Sequence, residues 1–192
     1  WGSTTGIDLP AEADGFLPTK EWRTTKRASP WKLGDTYHLS IGQGDLEVTP
    51  MQIVAAIGSI ANGGTLYVPH LVKEIRTSDG AVSDRIEPTV RTEKFLSDTV
   101  LQTVQAGMRQ GVLSGSSRSM QSLPVSSAGK TGTAQLGNQG KTHAWYAAYA
   151  PYEQPKIVIV VLVEAGGEGN AAALPVAKDV LQWYFTEGAG KS

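Results

Sequence analysis

Ser127-Ala128-Gly129-Lys130-Thr131-Gly132-Thr133-Ala134-Gln135 is the stretch whose reading decides the fold. Gly-Lys-Thr invites comparison with a phosphate-binding loop, Gly-x-x-x-x-Gly-Lys-Ser/Thr, which must run straight into a helix. Counting back from Gly129, the first-glycine position holds Pro124, so the pattern fails. The residues after Lys130 are Thr-Gly-Thr-Ala-Gln-Leu-Gly, β-branched and glycine-rich, a poor helix start and a good strand. A strand carrying one lysine, two threonine hydroxyls and a side-chain-free glycine is a cationic, hydrogen-bond-donating ledge suited to an anion.

Outward from that strand, three strands are predicted, at about 125–135, 143–150 and 156–164, joined by the short links Leu136 to Thr142 and Pro151 to Pro155. Links so short require antiparallel neighbours, because a parallel crossover needs a dozen or more residues. Ile157-Val-Ile-Val-Val-Leu-Val163 is apolar on both faces, which predicts a central, covered strand. Gly166-Gly167-Glu168-Gly169 turns the chain into a last helix with Leu174, Ala177, Leu181 and Tyr184 inward; Glu164 and Glu168 read as loop residues.

Upstream, Thr49-Pro50-Met51-Gln52 combines a cap, a proline at the first helical position and a capping-box glutamine. The helix it opens is apolar nearly all round, predicts burial, and stops at Gly63-Gly64. Leu66 to Val72 and Lys73 to Thr77 read as extended, with a turn at Ser78-Asp79-Gly80. Ser97 caps a second helix whose Val100, Val104, Met108 and Val112 suggest one core stripe, ended by Gly111 and Ser114-Gly115-Ser116-Ser117. Residues 1–49 show no sustained period and read as ordered loop anchored by Trp1, Trp22 and Trp31. The expectation is one α+β unit over 1–192, an antiparallel sheet covered by helices: loop-rich at 1–49, mainly helical at 49–124, sheet plus C-terminal helix at 125–192.

Composition narrows the function. At 192 residues with 40% hydrophobic and 18% charged, the chain can bury a real core. A net charge of −1 gives no basic footprint for nucleic acid. With no cysteine, disulfides and thiolate metal sites are excluded. His38, His70 and His143 lie in separate segments without ligand spacing, so neither metal nor cofactor is expected. The longest apolar run, Ile157 to Val163, is too short to cross a bilayer, and no membrane contact is expected of this segment. No signal peptide stands at Trp1, and the chain opens in a loop-like stretch, which suggests a piece of a longer protein.

Nine short stretches, in order, carry a resemblance. They are Thr5-Gly6-Ile7-Asp8-Leu9-Pro10, Pro18-Thr19-Lys20-Glu21-Trp22, Gly34-Asp35-Thr36, Ile41-Gly42-Gln43-Gly44 and Thr49-Pro50-Met51-Gln52. Then come Asn62-Gly63-Gly64 with Val68-Pro69-His70-Leu71, Gly129 to Gln135, Tyr149-Ala150-Pro151 and Glu164-Ala165-Gly166-Gly167. Together they resemble the C-terminal half of a class B penicillin-binding protein transpeptidase domain, of the elongation-type penicillin-binding protein two group. Lys130-Thr131-Gly132 then matches the Lys-Thr-Gly element of serine acyl-transferases acting on penicillin-like substrates.

The resemblance implies a partial serine β-lactamase-like fold and a peptidoglycan D,D-transpeptidase that cross-links stem peptides and is trapped by β-lactams. It implies a place at the bacterial cell envelope, on the periplasmic or extracellular face, with the full protein anchored to the inner membrane by an upstream segment. Lys130 and Thr133 would be catalytic, Thr133 through its backbone N–H. Lys130, Thr131, Gly132, Thr133, Ala134 and Gln135 would line the substrate. Strand alternation, however, sets Thr131 and Thr133 on one face and Lys130 on the other, so substrate must lie along the strand edge.

The family's Ser-x-x-Lys and Ser-x-Asn motifs lie upstream of the part matched, so the nucleophile would come from the upstream half of the same domain. Ser29-Pro30-Trp31-Lys32 fits Ser-x-x-Lys by letters, but Leu33-Gly34-Asp35 comes next and no helix is expected there. Ser59-Ile60-Ala61-Asn62 has the wrong spacing. The alternatives are a β-lactam-sensing domain of the same fold, or an interaction domain in which Lys-Thr-Gly is idle.

Overall fold

A computed structural model describes residues 1–137 and 140–188. Its centre is a three-stranded antiparallel sheet of β5 (Ala128–Leu136), β6 (Lys141–Ala150) and β7 (Ile157–Val163), in that order. The predicted hairpins are therefore present, with Lys130 opposite Ala147, Thr133 opposite Ala144 and Ala148 opposite Ile159.

Helices cover both faces. Ala144, Tyr146 and Ala148 of β6 turn one way, onto Ala173, Leu174, Ala177 and Leu181 of α5 (Ala173–Thr186). Tyr149 turns the other way and packs with Ala61, Ile57 and Ile60 of α3 (Pro50–Ala61). Helix α4 (Asp98–Leu113) closes the β5 side, giving Val112 to the first cluster and Met108 to the second.

The central-strand expectation for 156–164 is corrected: β6 is central, and β7 is an edge of the described sheet. Its residues are apolar on both faces because α5 lies over Ile157, Ile159, Val161 and Val163, and α3 packs beside Val158. Two-sided apolarity reports two covered faces, not two neighbouring strands.

Residues 1–49 are also corrected, for they hold two helices, α1 (Lys20–Arg27) and α2 (Leu33–Ser40). Neither has a buried residue, so neither carries an apolar stripe to read. Their ends hold them. Thr19 Oγ1 accepts the Trp22 N–H at 3.1 Å, and Asp35 accepts the Lys32 N–H at 2.8 Å. Leu33-Gly34-Asp35, read as a helix breaker, opens α2.

Thr49 and Gln52 form the expected capping box, and Gln52 also donates to Ser3 O at 2.9 Å and Asp14 O at 2.8 Å, tying the N-terminal loop to α3. Burial of α3 is less complete than its composition suggested, with only Gln52, Ser59 and Ala61 buried. The stretch 49–124 holds four short strands besides its helices, β1 (Leu66–Val68), β2 (Glu74–Arg76), β3 (Val82–Arg85) and β4 (Thr89–Thr92). They pair as two ribbons, β1 with β4 and β2 with β3.

In α4 the inward residues are Leu101, Met108 and Val112, while Val100 and Val104 are exposed. A strict four-residue repeat drifts by about 40° per step on a 3.6-residue helix, so its early members rotate off the core. Gly111 does not end the helix either. A Cβ there would stand 2.8 Å from Gly129 O, so the glycine permits α4 to cross close over β5.

Tyr146 is fully buried, and burial pushes its phenol up to about 12 against a smaller opposing pull from the Ser117 hydroxyl. Below pH 10 the folded and unfolded phenols are both protonated. Above it only the unfolded one ionises freely, so stability falls as pH rises from 10 toward 12, by about 1.4 kcal/mol per unit for this side chain. Urea midpoints across that window should fall less steeply in Tyr146→Phe.

Candidate functional site

The edge of β5 away from β6 is where the sequence placed its chemistry, and the hydrogen bonds show which groups face it. Arg109 Nη1 donates to Ser127 O at 2.8 Å, Lys130 Nζ to Thr131 O at 2.5 Å, and Gln43 Nε2 to Thr133 O at 3.0 Å. The carbonyls of residues 127, 131 and 133 thus point off the sheet. In an antiparallel pair a residue's N–H and C=O point the same way, so the Thr133 N–H also faces outward. Gly132, opposite Trp145, turns its groups into the sheet.

Lys130 is exposed, whereas Thr131, Gly132, Thr133 and Ala134 are half-buried. Its side chain leaves from the face opposite the two threonines and folds back over the edge onto Thr131 O. The conflict set by alternation is resolved by the length of that stem. Ala134 and Gln135 continue the strand opposite His143 and Thr142.

Three side chains that sequence reasoning did not place meet the threonines. Ser116, just beyond α4, sets its Oγ 2.8 Å from Thr131 Oγ1. Gln43 reaches Thr133 O from a loop pinched between Gly42 (φ 72°) and Gly44 (φ 82°). That loop is held by Arg23, which pairs with Asp35 and Asp45 at 3.3 Å each, and by Arg27 on Asp45 at 2.6 Å. Each such pair adds little alone, but together they fix the loop that carries Gln43.

The third is Glu168, read from the sequence as a loop residue, whose Oε2 accepts the Thr133 hydroxyl at 3.0 Å. The Gly169 N–H approaches the same hydroxyl oxygen at 3.5 Å. Gly169 has to be glycine here, since a Cβ would come within 3.1 Å of Gly132 N and closer still to the Gly132 and Trp145 carbonyls. The glycines around Glu168 were the available signal, and among them Gly169 is the one pressed onto β5.

The rejected motifs stay apart from this edge. Ser29 lies in the bend between α1 and α2, and Lys32 stands at the start of α2, so they share no helix. Ser59 is buried in α3 and donates to Ala56 O at 2.7 Å, while Asn62 bonds Thr65 and closes the turn after the helix. His70 meets Val72 O and His143 meets Ala165 N, two unconnected places. A cavity of about 250 Å³ lined by Gln43, Trp31, Asp35, His38 and Asp45 borders the edge; a larger one of about 380 Å³ lies off it, against Gln52, Ser59 and Arg91.

Comparison with known proteins gives a consistent picture. The family model described as the penicillin binding protein transpeptidase domain matches residues 1–182. A peptidoglycan D,D-transpeptidase MrdA of Haemophilus influenzae is 32% identical over 97% of this chain and 31% of its own length. The chain thus spans about a third of the curated relatives it matches. The crystal structure of Pseudomonas aeruginosa PBP2 in complex with WCK 5153 superposes with a TM-score of 0.82 at 30% identity, covering 98% of this chain and 42% of that one. Penicillin-binding protein A of M. tuberculosis, as its ceftriaxone acyl-enzyme complex, gives 0.75 at 28% identity, over 93% and 40%. The antiparallel sheet with its covering helices is part of the fold those structures share.

Proposed function

Because this chain belongs to the penicillin-binding protein transpeptidase domain family, we propose that it supplies the substrate ledge of a peptidoglycan D,D-transpeptidase, the nucleophile coming from the upstream half of the domain. The observation that carries the reading is the β5 edge itself: the Thr133 N–H faces outward, and the Lys130 ammonium folds round to the same edge.

In this reading a serine of the upstream half attacks the carbonyl between the two D-alanines of a stem peptide. The carbonyl oxygen takes up negative charge and is met by the Thr133 N–H, a contribution typically worth about 3–4 kcal/mol. Collapse releases D-alanine, whose new amine takes a proton, and leaves the peptide on the serine as an ester. The amine of a second stem peptide displaces the serine, forming the cross-link and returning the proton to the hydroxyl. Lys130, Thr131 and Thr133 hold the terminal carboxylate; Gly132 lets the substrate backbone approach, and Ala134 and Gln135 extend the edge. A β-lactam presents the same carboxylate and carbonyl to the same groups. This chemistry belongs at the bacterial cell envelope, facing the peptidoglycan. Among the described residues no helix is long and apolar enough to cross a membrane. The half-exposed, apolar β7 edge offers the upstream half a strand to pair with.

Two substitutions in the complete transpeptidase test the ledge. Lys130→Ala removes the cation, so penicillin acylation should fall by about 2–3 kcal/mol, and by less for substrates lacking the carboxylate. Thr133→Val keeps the backbone donor and loses only the hydroxyl, so its cost should be about 1–2 kcal/mol. Acylation rates unchanged in both variants would refute the assignment.

A further inference from the structure

A threonine hydroxyl has a single proton to donate. In this structure the Thr133 proton goes to Glu168, at 3.0 Å, while the Gly169 N–H occupies the acceptor side of the same oxygen at 3.5 Å. If Thr133 is to hold a substrate carboxylate, as proposed above, the hydroxyl must first leave the carboxylate already there.

Glu168 cannot withdraw by moving its backbone. Its carbonyl accepts the Ala171 and Ala172 N–H groups at 3.1 and 3.0 Å, at the entry to α5. Its neighbour Gly169 is wedged against the Gly132–Trp145 pair. The side chain, by contrast, is exposed, and its bond to the Thr133 hydroxyl is the contact it must break to swing away. A fixed backbone with a swinging anionic arm is a built-in competitor for the ledge.

We propose that Glu168 is a specificity-determining residue: a resident carboxylate that occupies the Thr133 hydroxyl and must be displaced by the carboxylate of an incoming stem peptide or β-lactam. It repels that group as it arrives and gives up its hydrogen bond as the group binds. Glu168 therefore weakens capture of carboxylate-bearing ligands, and it leaves ligands lacking the charge nearly untouched. The inference rests on the carboxylate-ledge reading of β5.

The test is the second-order rate of acylation of the complete transpeptidase by benzylpenicillin and by its carboxyl methyl ester, in wild type and Glu168→Gln. Removing one of two like charges a few ångströms apart should speed the acid by about three- to tenfold at low salt. The gain should shrink at about 1 M salt, where such charges are screened. The ester should change by less than about twofold on the same electrostatic argument. In a Thr133→Val background the gain on the acid should be smaller, because no hydroxyl remains to contest and only the salt-screened repulsion by Glu168 is left. Glu168→Ala provides a second variant with the same expected split should Glu168→Gln fold poorly.

Equal changes for acid and ester, or none for either, would overturn the role of Glu168. A wild-type enzyme that is acylated equally fast by acid and ester, or not acylated at all, would instead show that the ledge reading beneath it is wrong.

Discussion

Gly129→Ala should cost this domain about 3 kcal/mol or more and lower its melting temperature by about 6–12 °C. Gly129 is buried at the start of β5, directly above Tyr146 on β6. An added Cβ would lie 2.7 Å from the Tyr146 ring carbon Cζ and 3.1 Å from Ala148 Cβ, with the phenolic oxygen nearer still. The tyrosine has no room to yield, since it is fully buried with Val112, Met120 and Leu181 in the same cluster. The strand cannot lift off either, because Gly111 already brings α4 to the Gly129 carbonyl. Relief must come from moving β5 as a whole, and β5 carries the ledge. Tyr146→Phe removes the nearest atom, so the double variant Gly129→Ala/Tyr146→Phe should recover part of the loss. Gly132→Ala is the contrasting case, with Trp145 Cβ at 3.2 Å on a half-buried face, and should unfold the sheet far less. A Gly129→Ala protein melting within about 2 °C of wild type would contradict this packing.

The sheet was legible because its signals are local. Each strand is a β-branched or apolar run, and the links between them are too short for any but antiparallel pairing. Order within the sheet was not, since an edge strand covered by α3 and α5 has the composition of a central one. Helices α1 and α2 escaped because sequence periodicity reports burial and they bury nothing; Thr19 and Asp35 were the marks to read.

At the site, Lys130, Thr131 and Thr133 are adjacent in sequence and could be found together. Gln43, Ser116 and Glu168 could not, for they reach the strand from 90, 15 and 35 residues away. Only the glycines flanking Gln43 and Glu168 hinted that the backbone there was being fitted to something.

The 192 residues expressed by themselves are expected to form no covalent penicillin adduct. Acylation needs a serine with a base one helical turn away, and no described serine of this chain has one. Ser29 lies outside any helix, and Ser59 is buried with its proton on Ala56 O. Ser116 stands nearest the ledge, but it is bonded to Thr131 and followed by Ser117-Arg118-Ser119, with no lysine in position. Loss of a nucleophile costs about a millionfold in turnover, while the oxyanion donor left behind retains only residual stabilisation. Exposed Val176, Val180 and Trp183 along α5, like the β7 edge, are apolar surface that the proposed nucleophile-bearing half would cover.

The direct measurement is intact mass after incubation with excess benzylpenicillin, for the chain alone and for the chain combined with the proposed nucleophile-bearing half. An unchanged mass is expected for the chain alone, and one adduct per complex, mapped to a serine outside these 192 residues. A stoichiometric adduct on the isolated chain, at Ser116 or any other of its serines, would contradict a nucleophile supplied from the upstream half.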